Sequence, residues 1–172
     1  MKKDIVDKYF KKLYTSKSNI AGIGLFAGEF IKAGEIILIF GGNLAISDSR
    51  YSGDFMRSTC IGLNENIILG ETFNSEKELS DFINHSCDPN AGLQDAVTLI
   101  AIKDIPMGTE IVSDYAFWEN NVEWKMSTMC NCETENCRGT ITGNDWKLFS
   151  TQNTNFKYFS PYLKRRIVSY EK

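Results

Sequence analysis

The sequence predicts a β-rich α+β domain built from several small, curved sheets. Between Ile20 and Phe40, short β-prone runs are broken by Gly22, Gly24, Gly28 and Gly34 and end in a Gly41-Gly42-Asn43 turn. That rhythm suits short curved strands better than one regular sandwich. Further strand patterns fall at 55–63, 66–69, 97–102 and 110–116, while helical patterns are confined to the two ends and to one stretch before Asn84. A chain of 172 residues is long enough to bury one modest core without disulfides as its main support.

Taken in order, Ile5, Val6, Tyr9, Phe10 and Leu13 recur at helical spacing with lysines between them. This predicts an amphipathic helix over 1–17, packed on the body as a structural cap. Ile36 to Phe40 is the longest apolar run, a buried strand by its length and far short of a membrane span. Ser75 and Glu78 have capping-box spacing ahead of Leu79, Phe82 and Ile83, so a short helix should deliver Asn84 and His85. Ser160 is a good N-cap and Pro161 fits the first helical position, predicting a last helix that carries Tyr162, Leu163, Ile167 and Tyr170.

Charge is unevenly placed. The net is −3, yet residues 1–17 hold six lysines against two acids and residues 147–172 hold six basic residues against one acid. The body between them carries seven basic and nineteen acidic residues. With a pI near 5.3, such a body is poorly suited to tracking a phosphate backbone and better suited to a cationic, lysine-rich partner. Solvation of surface loops is the equal alternative. Acidic and basic residues from Asp4 to Lys12 interrupt the apolar stretch that a Sec-type leader would need. Three of the five cysteines lie within eight residues, a spacing that favours metal ligation over disulfides and a reducing compartment over an oxidising one.

Four segments carry chemistry. Gly22-Ile23-Gly24-Leu25-Phe26-Ala27 lets backbone approach a ligand closely. Alone it reads as a bulge or turn, and it lacks the third glycine of a dinucleotide fingerprint. Asn84-His85-Ser86-Cys87-Asp88-Pro89-Asn90 contains the single histidine, which cannot by itself build a catalytic triad or a multi-histidine metal site. Glu110-Ile111-Val112-Ser113-Asp114-Tyr115 ends in a tyrosine that alone reads as a packed residue with one satisfied hydroxyl. Cys130, Cys132 and Cys137 form Cys-x-Cys-x4-Cys followed by Arg138-Gly139. Three thiolates leave a tetrahedral zinc one ligand short.

In this order and at these separations, the segments resemble a SET-domain protein-lysine methyltransferase with a zinc-binding post-SET tail. The resemblance implies the SET fold, with small curved β-sheets and a knot-like threading in which the segment around Tyr115 passes through a loop to meet the Asn-His segment. Joined with the helical signals at the ends, this gives an expected layout of an N-terminal amphipathic helix at 1–17, a SET domain at 18–118, a post-SET zinc-binding segment at 119–142 and a helical extension at 143–172. It implies that Gly22, Ile23, Gly24, Asn84 and His85 bind S-adenosylmethionine, His85 chiefly through local backbone. Phe55 falls where the family places a tyrosine against the cofactor and takes either a pocket or a core role. The fourth zinc ligand becomes Cys87, bolting the tail to the active site, and Cys60 remains a small buried apolar residue.

The implied reaction is in-line attack of a neutral lysine amine on a sulfonium methyl group, with Tyr115 orienting the amine. A free lysine with a pKa of about 10.4 must be brought to its neutral form by desolvation and a nearby cation. Val112 and Ser113 replace the family's threonine and aromatic residue, and the small serine leaves room for a more highly methylated product. The expected partner is a lysine-containing protein or peptide, histones among the candidates, with no membrane or direct nucleic-acid role expected. The expected location is cytoplasmic or another reducing compartment, with nuclear or host-targeted action compatible. A catalytically silent module that binds a basic peptide is the alternative. The tail aromatics Trp118, Trp146, Phe156, Tyr158, Phe159 and Tyr162 either pack the last helix or line a lysine channel.

Overall fold

Short apolar runs pair into two sheets. The computed structural model describes residues 5–46, 60–70, 76–119, 121–148 and 155–170. The strands are β1 (Lys8–Tyr9), β2 (Leu13–Lys17), β3 (Ile23–Ala27), β4 (Ile36–Ile39), β5 (Asn43–Ile46), β6 (Ile61–Gly62), β7 (Ile67–Gly70), β8 (Asn84–His85), β9 (Ala91–Leu93), β10 (Thr98–Ala101) and β11 (Glu110–Ser113). The larger sheet has the order β1-β4-β10-β9-β11-β3-β2 with β8 paired to β11, and β5-β7-β6 form the smaller one.

β11 is the junction that positions the site. Its first half runs antiparallel to β3, through Glu110 opposite Phe26 and Ile111 opposite Leu25. Its second half runs parallel to β8, setting Val112 beside Asn84 and Ser113 beside His85, and Ser113 also pairs with Ala91 of β9. Two motifs far apart in sequence therefore lie on adjacent strands. Leu25, Ile37, Leu38, Leu93, Leu99, Ile111 and Phe117 are fully enclosed, and burying such side chains favours folding by roughly 1.5–3 kcal/mol each.

The helix expected over 1–17 is absent from its described part, residues 5–17, which instead carries two strands. β1 pairs with β4 through Lys8 opposite Ile39 and Tyr9 opposite Leu38, and β2 pairs with β3 from Leu13 opposite Ala27 to Lys17 opposite Ile23. The two edges offer unpaired backbone, and filling them outweighs a helical periodicity whose Ile5 and Val6 remain exposed. The strand expected at 110–116 stops at Ser113, because the Asp114 carboxylate accepts the Ala116 N–H at 3.0 Å and turns Tyr115–Phe117 into a 3-10 turn.

The strands expected at 66–69 and 97–102 coincide with β7 and β10, while of the strand expected at 55–63 only Ile61–Gly62 is seen, residues 55–59 lying outside the described residues. Leu79–Phe82 is a single 3-10 turn, with the Glu78 N–H donated to Asp81 at 2.9 Å. Ser75 lies outside the described residues. Helix α1 (Pro161–Tyr170) starts where the capping signal places it and buries Tyr162, Leu163 and Ile167, with Ser160 Oγ accepting the Leu163 N–H at 3.3 Å. Phe159 stands edge-on to Phe117 at 5.2 Å between ring centres, so Trp146, Phe159 and Tyr162 are packing residues enclosed in the core. Among the described residues no helix is long and apolar enough to cross a membrane.

Candidate functional site

The glycine-rich turn and β8 meet over Glu110. The Asn84 carboxamide nitrogen lies 3.0 Å from the Ala21 carbonyl, 3.3 Å from the Ile23 carbonyl and 2.8 Å from Glu110 Oε1. The other Glu110 oxygen accepts the Ser18 hydroxyl at 2.9 Å. Ser18 Oγ in turn accepts the N–H groups of Ile20 and Ala21 at 2.8 and 3.1 Å. Glu110 is thus the floor of the turn. A methyl group at Gly24 would collide with its carboxylate, whereas Gly22, at φ 51°, has open space where a Cβ would stand. Ile23 is 47% exposed at the rim.

Tyr115 stands at the end of β11. Its hydroxyl donates to the Ile83 carbonyl at 3.0 Å, and its N–H donates to His85 Nδ1 at 3.2 Å. Burial pushes its pKa up to about 12, so the phenol is neutral at physiological pH. Around it stand His85 at 5.2 Å, Trp118 at 5.8 Å and Trp124 at 6.1 Å between ring centres, with Phe40 6.1 Å beyond Trp118. This aromatic wall can exclude water and accept the stem of a long apolar side chain with a cationic or amine tip. The Ser113 hydroxyl donates to the Ala91 carbonyl at 2.9 Å.

His85 is 3% exposed and turns its ring inward. Its Nε2 lies 3.4 Å from Cys87 Sγ. Asp114 Oδ1 stands 3.7 Å from Nδ1. Burial holds the His85 pKa down to about 4, against the pull of Asp114. The ring is therefore neutral, and its closeness to Asp114 is not an ion pair. The charge of Asp114 is met instead by Arg138, whose Nη1 and Nη2 donate to it at 2.7 and 2.8 Å.

Cys87, Cys130, Cys132 and Cys137 converge, with their sulfur atoms all within 4.8 Å of one another. Zinc–sulfur bonds of about 2.3 Å in a tetrahedron fit such a cluster. The donor chemistry also fits. Burial pushes the Cys87 thiol up to about 11, so a cation is needed to hold it as thiolate. Burial likewise opposes ionisation of Cys132, but hydrogen bonds from Thr134 and Cys130 and the backbone bring its pKa down to about 6. The loop is closed by the Cys130 N–H donating to the Gly139 carbonyl at 2.7 Å, with Gly139 at φ 70°.

Gly22, Ile23, Gly24 and Asn84 come together at one rim, His85 and Tyr115 at the next station along β11, and the four cysteines beyond His85. Phe55 lies outside the described residues. Cys60 is buried, away from the four-sulfur cluster. Sequence reasoning missed Ser18 and Glu110, Trp124, and the Asp114–Arg138 pair. Arg138, Glu110 and Asp114 stand inside quoted motifs that give them no role of their own, and nothing local marks Ser18 or Trp124.

The SET domain matches residues 22–116, more than half of the chain. A Cryptococcus neoformans histone-lysine N-methyltransferase described as H3 lysine-4 specific is 31% identical over 146 residues, covering 76% of this chain and 10% of that protein. Drosophila melanogaster histone-lysine N-methyltransferase Set2 is 32% identical over 136 residues, 71% of this chain and 6% of that protein. The chain spans a tenth or less of the length of these relatives. The crystal structure of KRYPTONITE in complex with mCHG DNA and SAH aligns with a TM-score of 0.60 at 22% identity, over 77% of this chain and 29% of that one, a likeness of fold.

Proposed function

The chain belongs to the SET-domain family, and from that premise we propose that it transfers methyl groups from S-adenosylmethionine to the side-chain amine of a lysine in a protein. The observation that carries this reading is the placement of Tyr115: its hydroxyl is held on the Ile83 carbonyl and its backbone on His85, one strand away from the Asn84 turn. Histones are the proposed substrate class, by analogy with the relatives' names, and a nuclear site of action follows from that substrate.

The open space above Gly22 and the exposed rim at Ile23 fit a bound cofactor. Gly22, Ile23, Gly24 and Asn84 would hold it, with His85 contributing through β8 backbone. When bound, S-adenosylmethionine supplies an electrophilic methyl group on a sulfonium. Asn84 and Glu110 keep the turn in shape for it. Trp118 and Trp124 keep water from the reacting centre, and desolvation there favours the neutral lysine amine. Tyr115 is anchored by donating to Ile83 and presents its oxygen lone pairs as an acceptor that orients the amine. Zinc on Cys87, Cys130, Cys132 and Cys137 would tie the tail to this centre. The small Ser113 leaves multiple methylation open at the same lysine.

Incubating zinc-loaded protein with S-adenosylmethionine and histones, beside Tyr115→Phe, tests this by peptide mass spectrometry. Lysine methylation that disappears in the variant is the expected result, with di- or trimethylated product. Cofactor binding without turnover across histones and cell lysate would favour a silent peptide-binding module, for which the changes at Val112 and Ser113 are the motive.

A further inference from the structure

Arg138 follows the last tail cysteine, and its side chain, 13% exposed, lies between two carboxylates from different parts of the chain. Nη1 and Nη2 grip both oxygens of Asp114, the residue before Tyr115. Nε donates to Asp145 Oδ2 at 2.9 Å. The Arg138 N–H also donates to Cys87 Sγ at 3.3 Å. A single residue therefore touches the sulfur cluster, the catalytic strand end and the segment that follows the tail.

Each carboxylate organises backbone of its own. Asp114 Oδ1 accepts the Ala116 N–H and forms the turn that carries Tyr115. Asp145 Oδ1 accepts the Thr142 N–H at 3.2 Å and the Thr142 hydroxyl at 2.7 Å, shaping the turn ahead of buried Trp146. A carboxylate as enclosed as Asp114, at 1% exposure, cannot keep its charge and place without a matching cation. The planar guanidinium meets one carboxylate with two parallel bonds and still has Nε for the other, a geometry that a lysine ammonium lacks.

We propose that Arg138 is a positioning residue, a clamp that sets the Tyr115 turn and docks the segment after the tail onto it, separately from the metal that closes the cysteine loop. Its catalytic consequence rests on the proposed function of Tyr115, whereas its structural consequence does not.

The test compares zinc-loaded wild type with Arg138→Lys, Arg138→Gln and Asp145→Asn, reading zinc content, amide hydrogen exchange and methylation kinetics. Arg138→Lys is expected to fold and retain zinc while exchange at the Ala116 amide quickens about tenfold or more. Its kcat should fall about tenfold, with the KM for S-adenosylmethionine within about threefold of wild type. Asp145→Asn should loosen 142–146 and leave Ala116 protected. Arg138→Gln should exceed Arg138→Lys in every effect, up to failure to fold, in which case the lysine variant decides. A folded, zinc-loaded Arg138→Lys with wild-type exchange at Ala116 overturns the clamp, as does a loss of kcat that merely tracks loss of zinc. If the wild type proves inactive, the exchange readout still decides the clamp while the methyltransferase reading fails on its own.

Discussion

His85 and Tyr115 share one hydrogen bond, from the Tyr115 N–H to Nδ1 of the buried imidazole at 3.2 Å. Because Nδ1 accepts, the proton of the neutral ring sits on Nε2, which points at Cys87 Sγ 3.4 Å away. A ligand sulfur ionised by a metal is a good acceptor for that proton, and such a partner fixes ring orientation. The lone histidine thus joins the backbone of the candidate catalytic residue to the four-sulfur cluster.

His85→Ala removes both bonds and leaves the Tyr115 N–H without its acceptor, at a cost of about 1–3 kcal/mol. The expected outcome is a lower melting temperature and slower turnover, with cofactor affinity within about threefold of wild type because the ring faces away from the Asn84 turn. Thermal melts and calorimetric titration check this. Lost cofactor affinity in a protein of unchanged stability would mean that the imidazole belongs to the pocket.

Gly24→Ala drives a methyl group into the Glu110 carboxylate, which must release Asn84 or Ser18 to escape it. Overpacking of this kind costs about 1–3 kcal/mol. Weaker S-adenosylmethionine binding is expected together with lower stability, measured by calorimetry and melting. Gly22→Ala offers the contrast, since its difficulty is the φ of 51° and not a collision. Equal affinity in Gly24→Ala and wild type would remove Glu110 from the support of the turn.

Tyr115 should stay protonated throughout the assay range, because burial pushes its pKa up to about 12. A rise of kcat/KM with pH then reports the lysine amine. Tyr115→Phe should cut the rate by about 100-fold or more and leave the position of that rise unchanged. Replacing the target lysine with the less basic aminoethylcysteine should move it to lower pH. A limb that stays put with the new amine, or shifts in the phenylalanine variant, would assign it to the protein.

Cys87 is the one member of the four-sulfur cluster outside the tail. Cys87→Ser should weaken zinc retention by about tenfold or more and open residues 121–146 to protease, as chelation should in the wild type. Competition with a chromophoric chelator and timed proteolysis measure both. Zinc held as tightly as in wild type would place the fourth ligand elsewhere.

The sequence by itself determined the pieces whose chemistry is local: the Asn84 to Asn90 motif, the cysteine spacing of the tail, the strand leading into Asp114-Tyr115, and α1, announced by Ser160 and Pro161. Such signals survive because a cap, a turn or a ligand loop closes within a few residues. Tertiary structure alone decided that the first segment fills sheet edges, since a free edge on β3 or β4 outweighs a weak helical period. It also decided that Ser18 meets Glu110 across 92 residues and that Arg138 meets Asp114 across 24. A buried charge finds its partner through the packing of the whole chain, and no local pattern records which partner that is.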